Sequence, residues 1–134
     1  MNPQPDAVSR YLQQQGYSVR PVRFQHTAYW LGWEVTTAQF SMTYRLDGSI
    51  LLICDIRALT VHHGLGSAMR QLMALWQRLL LSIAAVNEIR GMVGSFGGEV
   101  IQPLRNKMLV LLIRHGARLV EQQQQRWLIY TRHI

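Results

Sequence analysis

The chain has 134 residues, of which 49% are hydrophobic and 16% are charged, so it can bury one hydrophobic core and is not intrinsically disordered. A single cysteine excludes a disulfide scaffold and is typical of a reduced, cytoplasmic setting. The net charge of +7 favours an acidic partner. The apolar runs are too short to predict a membrane span, and the N-terminal residues lack the apolar segment of a signal peptide.

The N-terminal part of the chain predicts a helix followed by an extended segment. Residues 1–5 are expected to form a loose arm. Asp6 is a suitable cap for a helix over residues 7–15. Residues 17–24 are extended in character, and Pro21 within them predicts an edge strand or an irregular strand, because proline cannot donate a backbone hydrogen bond to a neighbour.

An aromatic cluster follows at Tyr29, Trp30 and Trp33. The spacing predicts that Trp30 and Trp33 face opposite sides of an extended segment. We expect part of this cluster to join the core. The remainder would form an exposed apolar patch beside Arg20 or Arg23, suited to an amphipathic segment of a partner.

The middle of the chain has the strongest pattern in the sequence. Apolar and polar residues alternate over residues 40–46, which predicts a half-buried strand, and the Asp-Gly pair at 47–48 predicts a hairpin turn. The apolar run over residues 50–56 predicts a buried central strand. A glycine turn over residues 61–66 then leads to a long buried helix over residues 67–85, in which apolar residues recur at spacings of three and four.

The C-terminal third predicts a short strand over residues 89–94, a helix over residues 103–115 and a hairpin over residues 118–130. It also concentrates positive charge, since over residues 102–132 one acid, Glu121, accompanies six cations: Arg105, Lys107, Arg114, Arg118, Arg126 and Arg132. In total the order of elements predicts a single α+β domain built on a mixed sheet, with helices on both faces.

Few residues could carry chemistry. The adjacent histidines at 62–63 are expected to be exposed loop residues, because no further ligands are spaced to complete a metal site, and we predict none. Cys54 lies in the apolar run and is expected to be a buried small residue, not a nucleophile. Asp55 is expected to form an ion pair with a nearby arginine such as Arg57 or Arg90.

The order of elements resembles the GNAT acetyltransferase fold, in which a central strand runs into a Gln/Arg-x-x-Gly-x-Gly/Ala loop. In that family, backbone N–H groups of the loop hold the pyrophosphate of coenzyme A. Gly64 and Gly66 match the glycines, while Val61 stands where the family has Gln or Arg. The resemblance implies an acetyl coenzyme A site at Val61, Gly64, Leu65 and Gly66. It also places Leu112 at the position of the family's catalytic tyrosine, so the proton donor is missing.

A second resemblance covers nearly the whole chain. Short motifs in a shared order and spacing are similar to the LcrR and SseE type of small type III secretion accessory proteins: residues 8–22, Leu31-Gly32, residues 52–60, residues 104–109, Gly116-Ala117 and Trp127. This resemblance implies a cytoplasmic chaperone or regulator, and it carries over no catalytic site.

The leading hypothesis is therefore a non-enzymatic accessory protein without a cofactor. It would bind a translocator, a co-chaperone or a regulator of the secretion system through Tyr29, Trp30 and Trp33. The chain itself could also form a homo- or hetero-oligomer. A GNAT-type acetyltransferase that uses acetyl coenzyme A is the alternative. A basic transcriptional regulator is a third, weaker hypothesis, because no DNA- or RNA-binding motif is present.

Overall fold

A computed structural model describes residues 4–23, 27–59, 64–95 and 102–132. This part of the chain contains three helices and seven strands. Their order is α1 (Ala7–Gln14), β1 (Ser18–Arg23), β2 (Trp30–Thr36), β3 (Phe40–Asp47), β4 (Ile50–Ala58), α2 (Gly64–Ser82), β5 (Glu88–Met92), α3 (Gln102–Arg114), β6 (Arg118–Gln122) and β7 (Gln125–Thr131). A short 3₁₀ turn, Val93–Ser95, follows β5. The predicted α+β class is confirmed.

The seven strands form one sheet in the order β1-β2-β3-β4-β5-β7-β6. The predicted central strand, β4, is fourth in that order. It pairs antiparallel with β3 along its length. With β5 it pairs in parallel over only three residues, Ile50–Leu52 against Glu88–Arg90. All other neighbours are antiparallel, so the sheet is mixed as expected.

Local sequence signals account for the ends of several elements. The Asp6 carboxylate accepts a hydrogen bond from the Ser9 backbone N–H at 2.7 Å, which caps α1 as predicted. Pro21 lies in β1, which is an edge strand as predicted. Residues 1–3 of the expected N-terminal arm lie outside the described residues. Pro5 is held in place, since its carbonyl oxygen accepts a hydrogen bond from Arg10 Nη1 at 2.8 Å.

The hairpin between β3 and β4 has the predicted turn, because Asp47 pairs with Ile50 and Gly48 adopts a φ of +60°. The helix α2 begins three residues earlier than expected, so the glycines at 64 and 66 lie inside its first turn. No helix in the described ranges has the length and apolar content that crossing a membrane requires.

The helices α1 and α2 lie on the same face of the sheet. The Ser9 hydroxyl of α1 is 2.7 Å from the Tyr44 hydroxyl, and Trp76 Nε1 of α2 donates to the Met42 sulfur at 3.2 Å. Tyr44 and Met42 are alternate residues of β3, so they point to one side. We call this side the helix face.

The third helix, α3, joins α2 on the helix face. It contacts α2 directly, and its buried residues belong to the same continuous core. The prediction of helices on both faces is therefore wrong. The reason lies in the strand order: β4, β5 and β6 are parallel and follow one another in one direction across the sheet, and successive right-handed crossovers then place α2 and α3 on the same side.

The core fills the space between the helices and the helix face. Leu72 and Trp76 of α2 are buried as predicted, and the Trp76 ring lies 6.1 Å from the Tyr130 ring. The expectation of a half-buried β3 is wrong for its first half. Ser41 and Thr43 point away from the helices but are only 8% and 6% exposed, because the neighbouring strands β2 and β4 flank them on both sides.

Candidate partner-binding surface

The predicted aromatic cluster lies where β1 and β2 meet at one edge of the sheet. The two strands pair regularly up to Val22 and Gly32, and the next pair is Arg23 with Trp30. Leu31 is left without an opposite residue, which is a β-bulge. The irregular pairing brings Arg23 over Trp30, with the guanidinium carbon 4.8 Å from the ring centroid. This distance is typical of a cation–π contact.

Tyr29, immediately before β2, is the most exposed member of the cluster, with 60% of its surface accessible. Its hydroxyl accepts a hydrogen bond from Arg45 Nη1 at 3.4 Å. Its backbone N–H donates to Thr27 Oγ1 at 3.1 Å. The backbone of Tyr29 and its hydroxyl thus each have a hydrogen-bond partner, while most of the ring remains in contact with solvent.

Trp33 occupies a different environment from its two aromatic neighbours. It is half-buried and packs against the core, and its strand partners are Pro21 and Tyr44. Trp30 is also half-buried, but Arg23 covers its ring. Arg20 points elsewhere and forms an ion pair with Glu34 at 2.8 Å. We use the name aromatic–arginine surface for Tyr29, Trp30, Arg23 and Arg45.

A shallow cavity of about 240 Å³ adjoins this surface. Its lining combines the start of β2, the last part of β3 and the N-cap of α1: Asp6, Trp30, Leu31, Gly32, Trp33, Arg45 and Leu46. Asp6 caps α1 and is half-buried, so Arg45 is the exposed charged residue of this lining. Arg45 could not be identified from a sequence pattern, because it lies 16 positions away from the tyrosine that it contacts.

The residues of the GNAT-like loop lie at the start of α2. Val61 and the two histidines at 62–63 lie outside the described residues. Gly64, Leu65 and Gly66 form the first turn of the helix, and Gly64 has a φ of +74°. Leu112, at the position that a catalytic tyrosine would occupy, is fully buried in the core.

Cys54 is the extra residue of a second β-bulge. Thr43 pairs with Asp55 and Tyr44 pairs with Ile53, so no residue of β3 opposes Cys54. Cys54 is half-buried, not fully buried as expected, because Ile53 and Ile56 on either side of the bulge fill the core positions of this part of β4. Burial raises the pKa of its thiol above the ordinary value, which favours the unreactive protonated form.

The expected ion pair of Asp55 is present and uses Arg57, whose Nε lies 2.8 Å from the carboxylate. Arg90 is engaged by Glu88 instead. Across the described ranges, no group of three histidine, cysteine or acidic side chains is close enough to hold a metal ion. The part of the chain that the structure describes thus brings together aromatic and cationic side chains, an arrangement suited to binding.

Comparison with known proteins places the chain in a family. A family model described as type III secretion system regulator (LcrR) matches residues 5–125, which is most of the chain. No curated protein and no solved structure matches the chain. The chain belongs to the LcrR family, as the sequence motifs predicted, and it has a regulatory or accessory role in type III secretion.

Proposed function

We propose that this LcrR-family protein acts in the cytoplasm by binding another secretion-system protein, and that it has no enzymatic activity. The partner would be a translocator, a co-chaperone or a second regulator, held before export. The contact would be made by the aromatic–arginine surface. The observation that supports this proposal is that Tyr29 is 60% exposed and yet its hydroxyl accepts a hydrogen bond from Arg45.

The composition of this surface matches what protein–protein interfaces use. Tyrosine, tryptophan and arginine are enriched at binding hot spots, because they offer large contact areas and specific hydrogen bonds. Tyr29 and Trp30 would supply apolar area, whose burial drives association. Arg23 and Arg45 would attract an acidic partner and favour it over a basic one.

Trp33 has a supporting part in this proposal. Because it packs against the core, it fixes the backbone of β2 below the exposed aromatic residues. We therefore expect Trp33→Ala to lower the stability of the fold as well as the affinity. Variants of Tyr29 and Trp30 test binding more cleanly, since neither side chain is among those that pack against the core.

The test is co-expression with the products of the translocator operon, followed by affinity measurement of any stable complex. We expect Tyr29→Ala and Trp30→Ala each to weaken the complex by more than about 1 kcal/mol. Trp127→Ala is a matched control. Trp127 is also half-buried beneath an arginine, with the Arg90 guanidinium carbon 5.5 Å from its ring, but it lies on β7, away from β1 and β2.

The control variant should retain the partner. If a folded Tyr29→Ala, Trp30→Ala double variant bound the client as tightly as the unmodified chain, the proposed surface would be wrong. If no product of the operon formed a complex, the proposed mode of action would fail as a whole.

A further inference from the structure

The helix α3 has apolar side chains on its outer face as well as its inner face. Met108 and Leu112 point inward and are at most 1% exposed. Val110 and Ile113 point outward, and 53% and 39% of their surfaces are accessible. A helix that is apolar on both sides is expected to be covered on both sides.

The neighbouring helix α2 has the polar outer face that is usual for a helix in contact with solvent. Its outer face is mostly polar and includes Arg70, Gln71, Gln77 and Arg78, all exposed. Leu81, near the end of α2, is the exception, at 80% exposure. Two exposed apolar side chains within one helical turn, Val110 and Ile113, are thus a property of α3 and not of the helix layer in general.

A groove runs along the outer side of α3 where it meets the start of α2. Leu65 of α2 lines it together with Asn106, Lys107, Val110 and Leu111 of α3, and its volume is about 370 Å³. Leu65 and Leu111 are half-buried and also pack against the core, so they connect the groove to the interior. Its apolar lining is suited to the side chains of an amphipathic helix.

Positive charge borders the groove. Lys107 and Arg114 are exposed and stand seven positions apart on α3, which places them two turns apart on the same side. Arg118, at the start of β6, is exposed as well. Over residues 102–132 the sequence contains one acid, Glu121.

We infer that the groove formed by Leu65, Lys107, Val110 and Leu111 binds an acidic amphipathic helix of a partner protein. Charge decides between this occupant and a second copy of the chain. In a symmetric dimer built on the groove, the cations that border it in one copy would face the cations of the other copy and repel them. An acidic helix places carboxylates against the same cations and apolar side chains against Val110.

This surface is separate from the aromatic–arginine surface. The aromatic–arginine surface lies at the β1 edge of the sheet, whereas α3 leads directly into β6 at the opposite edge. The inference therefore does not depend on the proposed role of Tyr29 and Trp30. Two surfaces at opposite edges would allow the protein to hold two segments or two partners at once.

The experiment uses the full chain and a fluorescein-labelled amphipathic helical peptide of about 18 residues, with leucine on one face and glutamate on the flanks. Fluorescence anisotropy would measure its affinity. We expect binding that weakens with added salt. Val110→Asp should reduce the affinity at least about tenfold, because it places a charge in the apolar groove and repels the peptide. Lys107→Glu combined with Arg114→Glu should have a similar effect.

Two controls separate this groove from general attraction to a basic protein. Leu81→Asp changes an exposed leucine of α2, and Arg70→Glu changes an exposed arginine of the same helix, so both should leave the affinity unchanged. A peptide with lysine in place of every glutamate should not bind. All variants alter exposed side chains, and circular dichroism would verify that each one is folded.

The inference is overturned if the acidic peptide does not bind, if the lysine peptide binds equally well, or if Leu81→Asp weakens binding as much as Val110→Asp. It is also overturned if light scattering shows a dimer that Val110→Asp dissociates, since a second copy would then occupy the groove.

Discussion

The hydroxyl groups of Ser9 and Tyr44 lie 2.7 Å apart and share a hydrogen bond, although 35 residues separate them in the sequence. Neither residue is exposed to solvent. The bond joins α1 to the middle strands of the sheet in the apolar core. Buried hydroxyl groups without a partner are destabilising, so this contact specifies where α1 packs.

We expect Tyr44→Phe and Ser9→Ala each to lower the free energy of unfolding by about 1–3 kcal/mol, because each leaves the other hydroxyl without this partner. The double variant should be much less destabilised than the sum of the two changes. Urea unfolding followed by circular dichroism would measure all three. The matched control is Ser82→Ala, because Ser82 also contacts a tyrosine, Tyr11, but at an exposed site. Strict additivity in the double variant would contradict the coupling.

The same tyrosine predicts how stability depends on pH. Burial raises the pKa of Tyr44 above its usual value, and this effect outweighs the hydrogen bond from Ser9, which lowers the pKa. Tyrosine in the unfolded chain ionises near pH 10. Because the folded-state pKa is the higher one, this contribution to stability is constant below about pH 10 and is lost as the pH rises further.

We therefore expect the unfolding free energy to fall above about pH 10, by up to about 1.4 kcal/mol per pH unit from this group. Tyr44→Phe removes the group, so the variant should lose less stability than the unmodified chain over the same interval. Chemical denaturation at several alkaline pH values would measure the difference. Parallel curves for the two proteins would show that Tyr44 does not titrate in this way.

The elements themselves could be predicted because their signals are local. The Asp6 cap, the Asp-Gly turn at 47–48 and the periodicity of α2 each depend on residues within a few positions of one another. The LcrR family could also be predicted, since the resemblance is carried by short motifs in a fixed order.

What could not be predicted depends on how the strands pair. The bulge at Cys54 changes which side chains share a face, and no local pattern marks it. The contact between Arg45 and Tyr29 exists only because β3 lies beside β2. For α3, a signal was present in the sequence: Val110 and Ile113 fall outside the inward stripe of an amphipathic helix. The structure adds the exposure of both side chains, which shows that neither is covered by the rest of the described chain.

Gly32 provides a prediction about the aromatic end of β2. A Cβ atom added at this position would lie 2.2 Å from the Tyr44 carbonyl oxygen, which is a backbone atom and cannot move aside easily. We expect Gly32→Ala to destabilise the fold by at least about 2 kcal/mol, as steric overlap in a packed region does. Thermal and urea unfolding would measure the effect.

Gly66→Ala is the matched control, and its effect should have the opposite sign. A Cβ atom at Gly66 would have no neighbour within 4 Å, and the residue lies in the first turn of α2. Alanine favours helix over glycine by up to about 1 kcal/mol, so this variant should be slightly more stable. If both substitutions had equal effects, the close approach of β2 to Tyr44 would not be present in solution.

The final prediction concerns acetyl coenzyme A. A GNAT-type enzyme would need a proton donor at position 112, and the side chain there is a fully buried leucine. We expect no acetyl transfer to amines or peptides. We also expect calorimetry with acetyl coenzyme A to show no binding tighter than roughly 1 mM.

The glycines at the start of α2 supply the control for this measurement. Gly66 is exposed and has open space around it, so Gly66→Trp should fold and would obstruct a pyrophosphate bound at the helix start. A micromolar dissociation constant for the unmodified chain that Gly66→Trp abolishes would establish a coenzyme site and overturn the proposal that the protein works without a cofactor. Binding that survives Gly66→Trp would instead point to the cationic surface, where phosphate groups are attracted without a specific site.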